Sequence, residues 1–436
     1  MVHATMSTAN SSATSASSRI QPTSSFPGHR RRAGRRLVAG LAACAALWLS
    51  SCTTVAPPPA EITTAPPAAP ALPPSLPAQY VAVDWPALPG WTDDDVAAAW
   101  PAFRVGCPAL LAAPATKPAW QRVCDLGADV DPKQHGAVRA FFQRHFTPYA
   151  VRGADGRDTG MVTGYYEPLL LGSRARTARF GIALYAPPDD LLTVDLAALY
   201  PELKDKRVRA RVDGRRVVPY WTRSEIAAGR TPVAGRELVW VENPVEAFFL
   251  EIQGSGRVAL ADGSVMRVGY ADQNGHPYRS IGRVLIDRGE LAPERASMQG
   301  IRDWGRRNPD KLPALLNENP SFVFFREVPP PVPGSLEAAI DGPIGTLGVP
   351  LLRERTIAVD TRSIPLGAPV FLSTTYPLTT RPLQRLVLAQ DTGGAIRGAV
   401  RADFFWGFGD AAGREAGRMR QDGRMWLLWP KDVPLR

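Results

Sequence analysis

The chain has 436 residues, more than one average domain contains, so we expect two or three units that each bury a core. Hydrophobic residues at 45% and charged residues at 21% are ordinary for a globular protein, whereas 43 prolines and 38 glycines indicate loop-rich β structure with a linker. The net charge is +10, but residues 1–52 hold six arginines and no acidic residue, which leaves about +4 on the rest. That small excess, without a dense Lys/Arg stripe, excludes a nucleic-acid groove and suits a mildly anionic polymer.

The N-terminus has the pattern of a cleaved secretory signal. Five arginines between residues 30 and 36 precede the apolar run Leu37–Leu49, which is too short to remain as a membrane-spanning helix. The run ends in L-S-S-C at Cys52, which is similar to a bacterial lipobox, so Cys52 is predicted to carry a lipid as the mature N-terminus. Cys44, in L-A-A-C, fits the same pattern and stays an alternative. Residues 1–52 are therefore predicted to be a signal peptide with a lipobox.

Residues 53–79 are rich in proline and alanine, a composition that favours extended polyproline geometry and cannot bury a core. We predict that they tether a folded body to the lipid, in the periplasm. Thr53 stands where lipoproteins retained in the inner membrane typically have aspartate. This favours a lipid anchor in the inner leaflet of the outer membrane.

Two cysteines, Cys107 and Cys124, remain after processing, in a compartment that permits disulfides. We expect them to be bonded, with two free buried thiols as the alternative. No Cys/His spacing is typical of zinc, and no nucleotide-loop spacing occurs, so neither a metal nor a cofactor is predicted. The glycine-rich segment 407–413 is expected to be a turn.

The region from about Trp91 to Tyr149 is predicted to be helical, and its apolar residues are expected in the core. Those at helical spacing are Trp100, Phe103, Leu110, Val138, Phe141, Phe142 and Phe146. From Met161 onward, short apolar runs predict mainly β structure, interrupted by helices at 281–288 and 298–307. Four runs near the C-terminus predict a barrel of short strands: Thr356–Val359, Val370–Leu372, Leu386–Ala389 and Met425–Trp429.

Three aspartates follow strands or turns in the C-terminal third, namely Asp360, Asp391 and Asp403. Glycosidic cleavage needs a carboxylic acid in a water-poor cleft, because the leaving oxygen must be protonated as the bond breaks. Asp403 has such a setting, since four aromatic residues follow it that would raise a carboxyl pKa and stack on sugars: Phe404, Phe405, Trp406 and Phe408. Taken alone, each aspartate is more typical of an Asx-turn or a helix cap, and composition does not single out Asp403.

Six ordered motifs between about Trp91 and Lys431 carry a resemblance to a known family. They are V-T-G-Y-Y-E-P at 162–168, F-L-E-I-Q-G-S-G at 249–256, V-G-Y-A-D-Q-N-G at 268–275, Y-R-S-I-G at 278–282, N-P-S-F-V-F-F at 319–325, and the three-aspartate module. In these motifs the chain resembles the membrane-bound lytic murein transglycosylase A family. The resemblance implies a mainly β fold with α structure, in which an inserted β-rich domain interrupts a double-psi β-barrel. The expected boundaries are 80–168 and 336–436 for the barrel, and 169–335 for the insert.

The resemblance also assigns site residues. Asp403 matches the catalytic aspartate, while Asp391 and Asp360 match two supporting acids. Five further positions match segments that contact the saccharide: Thr163, Gly164, Tyr165, Gln253 and Ser255. The implied reaction cleaves the β-1,4 bond between MurNAc and GlcNAc of peptidoglycan and leaves a 1,6-anhydro end, with one carboxyl acting first as acid and then as base.

Two other functions fit the same fold. A second acid and an ordered water would make an inverting glycan hydrolase, for which Glu167 and Glu251 are candidates. A barrel that holds glycan without cutting it would be a wall-binding module. The expected partners are peptidoglycan glycan strands, the membrane through the lipid, and unidentified cell-wall synthesis or division complexes, without nucleic acid.

Overall fold

The computed structural model describes residues 78–200, 203, 208–431 and 433–435. The predicted signal peptide, Cys52 and Cys44, and all but the last two residues of the predicted tether lie outside these residues. None of the described helices is long and apolar enough to cross a membrane.

The helices are α1 Trp100–Ala112, α2 Lys117–Ala128, α3 Ala137–His145, α4 Arg223–Ala227, α5 Pro244–Gln253, α6 Ile281–Asp287, α7 Met298–Arg307, α8 Leu312–Asn317 and α9 Gly409–Arg418. The strands are β1 Gln79–Ala82, β2 Phe146–Arg152, β3 Gly160–Glu167, β4 Leu169–Ser173, β5 Ile182–Tyr185, β6 Leu192–Thr193, β7 Arg209–Asp213, β8 Arg216–Pro219, β9 Glu237–Val241, β10 Ser255–Leu260, β11 Val265–Gln273, β12 Val323–Glu327, β13 Thr356–Val359, β14 Pro369–Thr375, β15 Pro382–Asp391, β16 Ala402–Phe408 and β17 Arg420–Pro430.

An eight-stranded sheet joins the two ends of the described chain, in the order β1-β2-β17-β14-β15-β13-β16-β3. Strand β17 also pairs with β3, so six of these strands close on themselves. Closure leaves no free edge on those strands and encloses an apolar interior. The C-terminal strands that the sequence predicts lie in β13, β14, β15 and β17, and the bounds of β13 are those predicted.

Helices α1 to α3 pack their aromatic side chains into the core of this sheet. Trp100 and Phe103 stack at 5.1 Å between ring centroids, and Phe142 is fully buried beside them. Cys107 on α1 and Cys124 on α2 are joined in a disulfide, with 5.7 Å between their Cα atoms. The predicted helical region is confirmed for residues 100–145, with short loops between the helices. Residues 91–99 instead form turns and a short 3-10 helix, and β2 begins at Phe146.

The strands from β4 to β12 form two further sheets, one of six strands in the order β12-β11-β10-β4-β9-β5 and one of three, β6-β7-β8. Helices α6 and α7 lie where the sequence predicts them, and the mixed α+β class is confirmed.

Four helices were missed in the sequence, namely the short α4 and α8 and the longer α5 and α9. Helix α5 has clear end signals, because the Asn243 side chain accepts a hydrogen bond from the Val245 N–H at 2.9 Å, proline follows, and Gly254 ends the helix at φ +78°. The turn predicted at 407–413 is wrong, because helix α9 begins there at Gly409. The sequence did not indicate this helix, because its glycines are poor helix formers. Ala412 and Ala416 of α9 are buried against the sheet.

Candidate active site

Two of the three aspartates lie in one row across the eight-stranded sheet. Asp391 of β15 and Asp403 of β16 flank Ala358 of β13, and Asp403 pairs in turn with Thr163 of β3. Residues directly opposite each other on paired strands project from the same face of a sheet. The small side chain of Ala358 therefore separates two carboxyl groups that share one face.

Asp403 accepts a hydrogen bond from the Thr163 hydroxyl, with 2.6 Å between Oγ1 and Oδ1. Protein atoms surround most of this side chain, although part of it stays open to solvent. Burial raises the pKa of Asp403 because it penalises the charged form, and the nearby negative charge of Asp391 raises it further. The Thr163 hydroxyl and the Arg401 charge oppose this rise without cancelling it.

Asp391 also takes its hydrogen bonds from neutral groups. The Tyr165 hydroxyl donates to Oδ2 at 3.0 Å, and the N–H and hydroxyl of Thr346 donate to Oδ1 at 3.0 and 2.9 Å. Burial raises the pKa of Asp391, and these hydrogen bonds lower it by a smaller amount. Burial, followed by the charges of Asp391 and Asp403, raises the pKa of Tyr165 well above its usual value, so its hydroxyl stays a donor.

Asp360 is outside this row and serves a different purpose. It receives hydrogen bonds from the Arg362 guanidinium, at 3.0 and 2.8 Å, and from the Gly398 N–H at 2.8 Å. Burial alone would raise its pKa, but these charged and backbone donors bring the pKa of Asp360 below its usual value. Asp360 therefore ties the end of β13 to the loop before β16, as an anion.

The predicted segment 163–165 divides between the two faces of β3. Thr163 and Tyr165 point to the face that carries the aspartates, because side chains alternate along a strand. A Cβ atom at Gly164 would lie 2.7 Å from Nε1 of Trp406, on the opposite face. Only glycine lets the strand approach that indole, so the Cα of Gly164 serves packing.

The expected sugar-stacking role of the aromatic residues after Asp403 is wrong for three of the four. Phe404, Phe405 and Trp406 are buried within the cores on either side of β16. Phe408 is 40% exposed, with the Arg257 guanidinium 4.1 Å from its ring centroid. Since a strand alternates its faces inside a closed sheet, consecutive aromatic residues fill both cores.

The α5–β10 junction reaches β3 through Gln253, whose Oε1 accepts the Tyr166 N–H at 3.1 Å. This contact is one residue from Tyr165, so Gln253 lies beside the segment that holds the row. Ser255 begins β10, pairs with Gly269 and is buried. The structure thus brings Gln253 to the edge of the site and leaves Ser255 within the junction.

Both candidates for a second acid are held by arginine. Glu251 faces Arg223 in a two-pronged ion pair at 2.8 and 2.6 Å, and both side chains are nearly buried. Glu167, which is 1% exposed, lies 2.8 Å from Arg257. The guanidinium hydrogen bonds occupy both oxygens of Glu251 and Oε2 of Glu167, atoms that a base activating water would need free. Burial raises the pKa of Glu167 even beside Arg257.

A cavity of about 1090 Å³ lies away from the aspartate row, between the inserted sheet and α5, α7 and α8. Tyr166 and Glu251 line it, while Asp403 and Gln253 do not. Tyr166 points to the face of β3 opposite Tyr165, so β3 separates this cavity from the aspartates. Within the described ranges, no group of three or more His, Cys, Asp or Glu residues is arranged to hold a metal ion.

Comparison with known proteins identifies two family domains. Residues 161–326 match the MltA specific insert domain, and residues 355–429 match the 3D domain. The chain is 33% identical over 302 residues to the membrane-bound lytic murein transglycosylase A of Escherichia coli K12, a match that covers 67% of this chain and 72% of that protein.

Solved structures agree with this match. MltA from Neisseria gonorrhoeae is 40% identical, with a TM-score of 0.71, over 82% of this chain and 94% of that one. Escherichia coli MltA with bound chitohexaose is 27% identical, with a TM-score of 0.58, over 82% and 95% of the two chains. The chain therefore belongs to the membrane-bound lytic murein transglycosylase A family.

Proposed function

We propose that this protein is a lytic transglycosylase that cleaves the β-1,4 bond between MurNAc and GlcNAc of peptidoglycan and forms 1,6-anhydroMurNAc ends. The observation that carries this proposal is the setting of Asp403. Its carboxyl is mostly buried, receives a hydrogen bond from a neutral hydroxyl and has a raised pKa. Such a group can hold a proton and release it to a leaving oxygen.

In the first step, protonated Asp403 donates its proton to the oxygen that links MurNAc to GlcNAc. The bond from that oxygen to C1 of MurNAc breaks, and the GlcNAc side leaves as an alcohol. C1 passes through an oxocarbenium-like state, and Asp403 becomes a carboxylate. The neighbouring Asp391 supplies negative charge close to this positive centre.

In the second step, the Asp403 carboxylate accepts the proton of the MurNAc C6 hydroxyl as that oxygen bonds to C1. The product is the 1,6-anhydro ring, and Asp403 regains its proton for the next cycle. Water is not consumed, so a second carboxylate is not required to activate it. The engagement of Glu167 and Glu251 by arginine supports this one-acid reaction over an inverting hydrolase.

The proposal assigns glycan contacts to the two sides of the aspartate row. Thr163 and Tyr165 would line one wall, with Gly164 contributing backbone between them, and Gln253 would line the other, with Ser255 in the junction behind it. The hydrogen bond from Tyr166 to Gln253 supports this assignment, because it joins the two segments. Chitohexaose bound to the Escherichia coli relative is a β-linked sugar chain of the expected class.

We extend the proposal to architecture and location. Residues 80–168 and 336–436 would form a double-psi barrel, supported by the closed ring of six strands, with residues 169–335 inserted. Cys52 would carry a lipid that holds the enzyme at the inner leaflet of the outer membrane, facing the periplasm. Its partners would be glycan strands, the membrane and cell-wall synthesis or division complexes.

The test is mass spectrometry of the soluble fragments that the full-length chain releases from purified sacculi, with Asp403→Asn as the matched control. Fragments that end in 1,6-anhydroMurNAc, lighter by one water than hydrolysis products, are expected from the native protein alone. Reducing MurNAc ends would show a hydrolase instead. If neither protein releases fragments while both bind sacculi, the barrel is a wall-binding module.

A further inference from the structure

Arg401 is a buried charge that the two proton transfers do not use. Only 9% of this residue is exposed. In the part of the chain that the structure describes, its guanidinium donates to the Thr163 hydroxyl at 2.9 Å and to the carbonyl oxygens of Met161 and Ala402. Its acceptors are therefore neutral, although burying an unpaired cation costs several kcal/mol. We infer from this burial cost that Arg401 has a role beyond packing.

The two hydrogen bonds of the Thr163 hydroxyl run in one direction, from Arg401 through Thr163 to Asp403. An arginine can only donate, so the Thr163 Oγ1 atom accepts from Nη2 of Arg401. The hydroxyl hydrogen then needs an acceptor, and Oδ1 of Asp403 lies 2.6 Å away. If Asp403 carried its own proton on Oδ1, two hydrogens would meet between these oxygens. The proton of Asp403 therefore belongs on Oδ2.

We propose that Arg401 is a positioning residue, which through the Thr163 hydroxyl fixes the transferable proton on Oδ2 of Asp403 and stabilises the carboxylate left after transfer. This inference rests on the proposed function, because it concerns the acid of that reaction. It assigns to Arg401 no contact with the glycan.

The charged and titratable groups that face Asp403 come from three segments of the chain. Arg401 directly precedes β16, Asp391 lies on β15 and Tyr165 on β3. The positive charge of Arg401 lowers the pKa of Asp403, whereas the negative charge of Asp391 raises it. Tyr165 is neutral at physiological pH because its own pKa is raised. The Thr163 hydroxyl and the charge of Arg401 are therefore the groups that ease loss of the proton, and Arg401 is the charged one.

The opposing effects of burial and of Arg401 on the pKa of Asp403 suit an acid that must also act as a base. Burial keeps Asp403 protonated before the bond breaks, and a buried anion without support would hold its proton too tightly. The guanidinium, one hydroxyl away, stabilises the anion without occupying the carboxylate oxygens of Asp403 itself. At Glu251, by contrast, Arg223 donates to both carboxylate oxygens and leaves neither free for proton transfer.

The first experiment measures kcat against pH on soluble glycan strands for the full-length chain and for Arg401→Gln and Arg401→Lys. Loss of the positive charge raises the pKa of Asp403, so the alkaline limb of the Arg401→Gln profile should move up by roughly one pH unit. Its kcat should fall about tenfold at the optimum. Arg401→Lys keeps the charge, so its alkaline limb should stay in place.

Arg414→Gln is the matched control, because Arg414 is exposed on α9, which packs against the same strands. This variant should change neither kcat nor the profile. A limb that stays in place or moves down in Arg401→Gln would overturn the inference. The position of a limb does not depend on the folded fraction, so a partly unfolded variant still gives an answer.

The second experiment asks whether Arg401 acts through Thr163. In a Thr163→Val background, Arg401→Gln should lower kcat by less than about twofold further, because the hydroxyl it orients is gone. Thr163→Ser keeps the hydroxyl and should restore the full effect of Arg401→Gln. An equal loss in the Thr163→Val background would contradict the inference.

These outcomes separate the inference from the function on which it rests. If the native chain forms 1,6-anhydroMurNAc ends and Arg401→Gln keeps the native profile, the inference fails and the proposed function stands. If the native chain forms no such ends, the proposed function itself fails.

Discussion

Two carboxyl groups of the eight-stranded sheet and two of the insert are held by different donors. Asp403 and Asp391 receive hydrogen bonds from hydroxyls and a backbone N–H, and the pKa of each is raised by burial. Glu251 and Asp272 of the insert each meet an arginine, Arg223 at 2.6 Å and Arg209 at 2.9 Å. A neutral donor adds no positive charge beside a buried carboxyl, whereas a guanidinium favours the charged form. Burial can outweigh the guanidinium, since it raises the pKa of Glu167 beside Arg257.

The donors around Asp360 distinguish it from Asp403. It lies in the same C-terminal module as Asp403 and is 1% exposed. Although burial favours its protonated form, hydrogen bonds from Arg362 and Gly398 bring its pKa below the usual value. Of three aspartates in one module, the arginine-paired one is thus a structural anion.

The largest expected effect comes from removing the acid. Asp403→Asn keeps the shape of the side chain but cannot supply the proton, so kcat should fall by about a thousandfold or more. Glycan binding should stay within about twofold, because the wall segments are unchanged. Turnover measured by release of anhydro fragments, together with binding to sacculi, checks both outcomes. Retained turnover would mean that another carboxyl is the acid.

The next largest effect is expected on stability, when the ion pair between Arg223 and Glu251 in the insert is broken. Glu251→Gln leaves the nearly buried Arg223 without its anion, and the free energy of unfolding should fall by about 3 kcal/mol. The control is Glu327→Gln, whose partner Arg174 is exposed, and it should cost less than about 1 kcal/mol. Urea unfolding of the two variants gives the comparison, and equal losses would refute the contrast drawn here.

A smaller effect is expected when Asp391, the other aspartate of the row, loses its charge. Asp391→Asn removes a negative charge that raises the pKa of Asp403, so the Asp403 pKa should fall. Because the protonated form is the active acid, the alkaline limb of the rate profile should move down by roughly half a pH unit. Asp410→Asn, at an exposed site on α9, is the control and should leave the profile unchanged. An upward shift in Asp391→Asn would contradict the assigned influence of Asp391.

Sequence alone located much of this site. Ordered motifs pointed to Asp403, Asp391 and Gln253, and a short apolar run between turn residues predicted β13 with its observed bounds. Apolar spacing also placed Trp100 and Phe142 in the core, where they are buried. These features depend on local periodicity or on motifs, both of which can be recognised in a single sequence.

The remaining features depend on strand register and burial. The row from Asp391 to Thr163 is made by four strands that are far apart in sequence, so no local pattern shows it. For the same reason the sequence did not reveal Arg401 or the burial of Phe405. Nor did motifs distinguish Asp360 from Asp403, because the difference lies in the donors that folding brings to each carboxyl.

The most direct test of this contrast is the titration of the individual carboxyl groups. Carbon-13 NMR of the full-length chain with labelled aspartate carboxyls, assigned by comparison with Asp403→Asn and Asp360→Asn, gives both midpoints. We predict that Asp403 titrates above the usual value of 3.8 and Asp360 below it. An Asp403 midpoint at or below that of Asp360 would contradict the conclusion that neutral donors keep Asp403 able to act as the acid.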